Sequence, residues 1–199
     1  MTSSWTKQLG TTTYDSGIGV TTDSSDNIYV TGLTDGDLDG NTSSGNNEII
    51  LVKYNSSGTK QWTKQLGTSD NDEGYDVTTD SSGNIYVTGL TDGDLDGNTS
   101  SGNNEIILVK YNSSGTKQWT KQLGTSDNDS GLGVTTDSSG NIYVTGETWG
   151  GLDGNTSSGK NDIFLVKYNS SGTKQWTKQL GTSTFDEGSG VTTDSSGNI

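Results

Sequence analysis

Trp5, Trp62, Trp119 and Trp176 each open the same phrase, Trp-Thr-Lys-Gln-Leu-Gly-Thr, and lie 57 residues apart. Residues 27 to 72 recur without change as residues 84 to 129. A unit that returns at fixed spacing cannot bury a full core alone, so its copies must complete one another. A period of this length containing several short strands predicts propeller blades. Function is then to be sought in what the blades present.

Only 25% of the residues are apolar, thirty are glycine and the net charge is -14, a composition that leans toward disorder. The regular placement of Ile, Val, Leu, Tyr and Trp at the same phase of each period argues for order instead. The chain holds no cysteine, histidine, proline, arginine or alanine. Disulfides, Cys/His metal sites and thiol or imidazole catalysis are therefore excluded. The eleven basic residues are lysines scattered through a chain of pI about 4.1, without the basic stripe that a phosphate backbone requires, so no nucleic-acid partner is expected. No stretch approaches the apolar length of a membrane span, and Thr-Ser-Ser-Trp after Met1 offers no signal-peptide core. A Gly, Asn, Ser, Thr and Asp-rich surface suits a secreted or cell-surface module.

One period shows the internal plan. Tyr75 to Asp80 reads as a short Val/Thr strand, and Asp80 to Asn84 as a tight turn in which Gly83 takes positive φ and Asp80 bonds the following amides. Ile85 to Leu90 alternates, with Ile85 and Val87 on one face and Tyr86 and Thr88 on the other. After a polar loop from Asp92 to Asn104, the apolar run Glu105 to Tyr111 reads as a strand buried on both faces. Asn112 to Thr116 forms a second hairpin turn, and Lys117 to Leu123 an outer strand whose lysines discourage edge pairing. Four antiparallel strands per period make an all-β fold of propeller blades, about 3.5 repeats in all. A parallel β-helix is the runner-up, opposed by the two hairpin turns of each unit. Residues 1–199 form a single array, with blade periods 5–61, 62–118, 119–175 and a partial 176–199.

Gly-Val-Thr-Thr-Asp-Ser-Ser-Gly-Asn-Ile-Tyr-Val-Thr-Gly at residues 133 to 146, Asp-Leu-Asp-Gly-Asn-Thr, and Leu-Val-Lys-Tyr-Asn-Ser-Ser-Gly followed by Trp-Thr-Lys-Gln-Leu-Gly resemble the bacterial SBBP repeats. The resemblance covers the whole chain and implies a seven-bladed β-propeller architecture, mostly in secreted or surface proteins. It implies no general activity. If the Val/Thr strand is innermost, as that family pattern implies, the sequence starts with an outer strand, Trp5 to Leu9, and finishes with an unpartnered inner strand, Gly190 to Asp194. Such open blade ends are expected to seek partners, as a homo-oligomeric ring or an open stack.

Asp35-Gly-Asp-Leu-Asp-Gly-Asn41 recurs as Asp92 to Asn98 and matches the opening of calcium loops, in which alternate carboxylates converge on one hard cation. Asp35, Asp37 and Asp39, with Asp92, Asp94 and Asp96, are thus candidate calcium ligands. The alternative is a solvated acidic loop whose Asp and Gly satisfy turn geometry. The third copy, Trp149 to Asn155, keeps only Asp153. A second acidic segment, Asp70 to Glu73, reads as a solvated turn.

The four Trp residues at one phase are expected to pack between blades, and Tyr29, Tyr86 and Tyr143 to cover the strand surface. Trp149 occurs once, in a polar loop, and is a candidate for stacking on a sugar. Recurring carboxylates of similar local sequence do not make a differently tuned catalytic pair, and no enzyme is expected. The leading expectation is a noncatalytic structural or adhesive module that binds a glycan or surface protein; the alternative is a carbohydrate-binding propeller with one weak site per blade.

Overall fold

A computed structural model describes residues 4–199. Twelve strands form three four-stranded antiparallel sheets, each a simple meander in chain order. Blade 1 holds β1 (Asp15–Thr22), β2 (Ile28–Thr34), β3 (Glu48–Tyr54) and β4 (Lys60–Leu66). Blade 2 holds β5 (Asp72–Thr79), β6 (Ile85–Thr91), β7 (Glu105–Tyr111) and β8 (Lys117–Leu123). Blade 3 holds β9 (Asp129–Thr136), β10 (Ile142–Thr148), β11 (Asp162–Tyr168) and β12 (Lys174–Leu180). The antiparallel hairpins exclude the β-helix, as expected.

The hairpin turns owe their shape to side chains that bond their own backbone. Asp80 accepts from the Ser82 and Asn84 amides, both at 2.9 Å, while the Asn84 side chain (2.8 Å) and the Tyr86 hydroxyl (3.0 Å) bond its second oxygen. Tyr86 is therefore buried with its hydroxyl satisfied, rather than lying over the strand surface, and Tyr29 and Tyr143 repeat the arrangement with Asp23 and Asp137. In the inner hairpins, Gly32, Gly89 and Gly146 lie against the carbonyls of Ser16, Glu73 and Ser130, where a Cβ has no room. These close approaches accompany a register shift in each inner pair, the bulge that bends the strand.

The core lies between blades, not within them. Each blade has a trailing face, exemplified by Tyr29, Ile49 and Leu51 of blade 1, and a leading face, exemplified by Val77, Ile85, Val87, Ile107 and Val109 of blade 2, and these meet as one buried cluster. Tyr86, Ile106 and Leu108 meet Val134, Ile142, Val144, Phe164 and Val166 in the same way at the next junction. Trp62 and Trp119 pack against these clusters from the outer strands, the position expected of them. Threonine hydroxyls tie successive inner strands, Thr79 to the Thr22 carbonyl (3.1 Å) and Thr136 to that of Thr79 (3.3 Å). At the second junction the Asp76 carboxylate also accepts the Val134 amide, at 2.9 Å.

The two ends of the stack are open. Val20 on the leading face of blade 1 is 67% exposed, against 3% for its counterpart Val77. On the trailing face of blade 3, Leu180 is 75% exposed. Neither Trp5 to Leu9 nor Gly190 to Asp194 forms a strand, contrary to the sequence expectation, because the middle strands of their blades are missing and the ladder has nothing to pair with. Both segments keep their place by packing and isolated hydrogen bonds rather than by a strand ladder. Trp5 lies on Gly58 of the β3–β4 turn, and the Thr193 hydroxyl reaches the Thr136 carbonyl at 3.0 Å.

Candidate functional site

One rim of the blades gathers the polar loops. It is built on a clasp: Asp72, fully buried, accepts from the Thr68 amide (2.6 Å), the Thr68 hydroxyl (3.0 Å) and the Thr91 hydroxyl. Asp15 and Asp129 do the same with Thr11 and Thr34, and with Thr125 and Thr148. Burial pushes the Asp72 carboxyl above the ordinary carboxylate range; the threonine bonds oppose this and the charge of nearby Glu48 adds to it. The segment from Asp70 to Glu73 is thus not a solvated turn throughout. The signal that identifies Asp72 is the Thr-x-x-x-Asp spacing, present at Thr11, Thr68, Thr125 and Thr182 while the residues between vary.

The acidic loop leaves β2 and turns through a single 3-10 turn, Leu38–Gly40, whose Leu38 side chain enters the core. Gln65 holds this turn from the outer strand, accepting the Leu38 amide at 3.1 Å and donating to the Gly36 carbonyl at 3.0 Å. The three candidate calcium ligands then go separate ways. Asp37 accepts the Ser43 amide at 2.7 Å, Asp39 pairs with Lys60, and Asp35 is exposed. In blade 2, Asp94 takes the Ser100 amide, Asp96 pairs with Lys117, and Asp92 accepts from Asn71 at 3.3 Å. Lys60 holds the Asp39 carboxyl below its ordinary value. Asp39, Asp96 and Asp153 all sit at positive φ, between 55° and 58°, so the Lys pairs pin a strained turn onto the outer strand. Among the described residues, no three acidic side chains converge as a metal site.

Between this loop and the clasp turn runs a polar groove. In blade 2 it is lined by Thr68, Ser69, Asp70, Asp92, Asp94 and Ser100, with a volume of ≈ 480 Å³. Blade 1 carries the corresponding groove between Thr11 to Thr13 and Asp35 to Gly45. These hydroxyls, amides and carboxylates offer many donors and acceptors, in blade 2 with little apolar surface beside them.

Blade 3 differs. Trp149 replaces the loop's first aspartate, and its ring meets Phe185 edge-on at 5.8 Å between centroids. Lys160 lies over Phe185, its ammonium 4.3 Å from the ring centre. Trp149 remains 39% exposed and Phe185 59%. Sequence reasoning found Trp149 and missed Phe185, which stands 36 residues further along, beyond β12, and meets it only where the following unit stacks on blade 3.

Comparison with known proteins agrees with the blade architecture. The chain is 27% identical over 227 aligned residues to an uncharacterized WD repeat-containing protein, L264, of Acanthamoeba polyphaga mimivirus, covering 89% of this chain and 16% of that protein. It is 28% identical over 198 residues to the regulatory protein FlaEY of Caulobacter vibrioides, covering 85% of this chain and 21% of that one. The chain therefore spans about a fifth or less of the length of these curated relatives. The family profile described as a beta-propeller repeat matches residues 4–39, 61–96, 118–153 and 175–199, once per period and over most of the chain. On those four matches and three four-stranded blades, the chain belongs to the SBBP beta-propeller repeat family.

Proposed function

We propose that this chain is a noncatalytic structural or adhesive module of a secreted or cell-surface protein, its open stack completed by self-assembly and its rim binding a glycan or surface protein multivalently. The observation that carries the reading is the polar groove repeated at blade spacing, Thr11 to Asp37 in blade 1 and Thr68 to Asp94 in blade 2. Weak similar sites on a rigid array gain avidity from their spacing, whereas a catalytic site needs one place where two groups are tuned apart. The apolar cleft of ≈ 360 Å³ lined by Trp5, Leu9, Val30, Leu38, Ile50 and Val52 belongs to the open leading face of blade 1, a packing surface. Binding of the immobilised chain to arrays of surface glycans and matrix proteins tests the reading. Retention that collapses when the ligand is presented singly supports it, and silence across both arrays removes the adhesive role.

The exposed Trp149 ring favours a second reading, a carbohydrate-binding propeller. A partly exposed indole, set edge-on against Phe185 with Lys160 over that ring, has the composition of a sugar-stacking site. A Trp149→Ala variant that loses glycan binding while the grooves of blades 1 and 2 stay intact selects this reading.

A further inference from the structure

We propose that two copies of this chain close head to tail into a six-bladed ring, the trailing face of blade 3 in each seating on the leading face of blade 1 in the other. Tyr14 of one copy then takes the place of Phe185 against Trp149 of the other. The proposal deepens the self-assembly part of the function proposed above and rests on it.

The two open faces are the halves of an interface that the chain already makes twice. The leading face of blade 1 carries Val20, Ile28, Val30, Ile50 and Val52, of which Val20 is exposed while Ile50 and Val52 are covered with Leu9 packed on them. These residues are the counterparts of the Val77, Ile85, Val87, Ile107 and Val109 set that blade 1 itself covers in blade 2. The trailing face of blade 3 carries buried Tyr143, half-buried Ile163, Leu165 and Trp176, and exposed Leu180, the counterparts of Tyr29, Ile49, Leu51, Trp62 and Leu66. Docking these faces repeats a known packing without a new contact having to be invented.

The segments now lying over these faces have the sequence of what would replace them. Trp5 to Thr11 on blade 1 is identical to Trp176 to Thr182, which includes most of β12. Asp186 to Thr193 on blade 3 differs from Asp15 to Thr22, which is β1, at two positions only, Glu187 for Ser16 and Ser189 for Ile18. Each exchange removes a segment that pairs with no sheet and installs the same or nearly the same residues as a strand already held in one. Trp176 thereby gains the Gly58 seat that Trp5 occupies. Val20 and Leu180 leave water, a gain the unpaired segments do not supply.

The rim of this junction carries its own lock. At internal junctions the loop residues are Asp35 and Asp92, with Asn46 and Asn103 beside them, and the following unit offers Asn71 or Asn128. In blade 3 the same positions are Trp149 and Lys160. Two residues occupy the facing phase at the ends of the chain, Phe185 and Tyr14, and both are aromatic. Phe185 uses its ring on Trp149, while Tyr14 is 63% exposed. An aromatic at position 14 matches Trp149 of another copy, which the Asn found at the internal positions does not.

Three whole blades per copy allow rings of six or nine, and six falls within the four to eight blades that propellers use. Sedimentation equilibrium of the full chain over a wide concentration range is the test. The expected species has twice the mass of the 20.9 kDa chain. Tyr14→Ser and Phe185→Ser, both at exposed positions, should act in opposite directions. The first loses the contact between copies and weakens the dimer, by several-fold and up to about tenfold per junction. The second weakens the internal competitor and strengthens the dimer. A Tyr14→Cys/Trp149→Cys variant of this cysteine-free chain should form a disulfide only between copies, seen as a doubled mass that reductant reverses. A monomer at every concentration, an open-ended series of larger species, equal effects of the two serine variants, or a double-cysteine variant that stays monomeric would each overturn the proposal. Loss of glycan or matrix binding alone would leave it standing, since ring formation is read from mass.

Discussion

The Trp62 indole lies directly on Gly115, the hairpin glycine of the next blade, whose backbone holds φ at +76°. An added Cβ would stand 3.0 Å from Trp62 Cε2 and 2.9 Å from Lys64 Cε. Trp119 meets Gly172 in the same way. The outer strand of one blade is thus fastened to the turn of its neighbour, and the glycine serves the turn and the contact together.

Gly115→Ala should therefore cost more than the same change at Gly83. Gly83 has φ of +77° but open space around it, its nearest neighbour being Ser113 Cβ at 3.6 Å. The left-handed backbone alone costs an alanine about 1 kcal/mol. We expect about that loss at Gly83 and roughly 2–3 kcal/mol at Gly115, where Trp62 must also move. Urea unfolding of both variants measures the difference, and equal losses would mean that the indole contributes nothing to the junction.

Asp162→Glu should stabilise the fold. Glu48 and Glu105 divide their work, one oxygen taking a loop amide and the other the Gln65 or Gln122 side chain. Asp162, one methylene shorter, receives the Ser158 amide and Gln179 on a single oxygen, both at 2.8 Å, and leaves Oδ1 buried without a partner. Returning the second oxygen to use is worth about 1 kcal/mol, or ~2–4 °C in Tm for a chain of this size. A melting temperature unchanged or lowered in calorimetry defeats the argument.

What the sequence made legible follows how far apart the interacting residues stand. The blade plan rests on local signals: Asp80 and Gly83 lie within one turn, and Glu105 to Tyr111 and Lys117 to Leu123 emerge as strands with the bounds read from the sequence. The Thr68 to Asp72 clasp is equally local but was hidden by the acidic residues around it, which made Asp72 look solvated. The calcium reading of Asp35 to Asn41 weighed the carboxylates and not Lys60, which reaches Asp39 from the outer strand. Trp149 stood out by its uniqueness, yet Phe185 becomes its partner only when one unit is stacked on the next. Contacts between blades are set by stacking, and a single period does not encode them.

Asp76→Gly should change how stability depends on pH. Asp76 stands where the other blades have Gly19 and Gly133, and burial raises its carboxyl above the usual 3.8, against the lowering effect of the Val134 and Val77 amides. The folded chain therefore binds a proton more tightly than the unfolded chain at this position. Stability contributed by Asp76 is full below pH 3.8 and declines as pH rises through the raised folded value. The glycine variant lacks that decline, so its stability relative to the parent should improve from about pH 4 upward and then level off. Parallel urea titrations from pH 3 to about 7 give the comparison, and a constant difference would show that Asp76 does not titrate differently on folding.

Calcium affinity at the acidic loops should be set by a competing lysine. Asp39 and Asp96 are already paired with Lys60 and Lys117, and Asp37 and Asp94 hold the Ser43 and Ser100 amides. A cation entering loops 35–41 and 92–98 has to displace an ammonium and draw together carboxylates that now diverge, which predicts weak binding in the parent chain. In a Lys60→Gln/Lys117→Gln variant the competing charge is gone, and affinity at these two loops should rise by up to about fivefold, the size expected for removing one partly exposed ion pair at the upper end of its range. Loop 149–155 offers Asp153 alone and should contribute no heat in either protein. Isothermal titration of both chains, repeated in chelator, reads all three expectations. Tight binding by the parent, or isotherms that do not change when the lysines are removed, would show that the Lys60 and Lys117 pairs do not govern these loops.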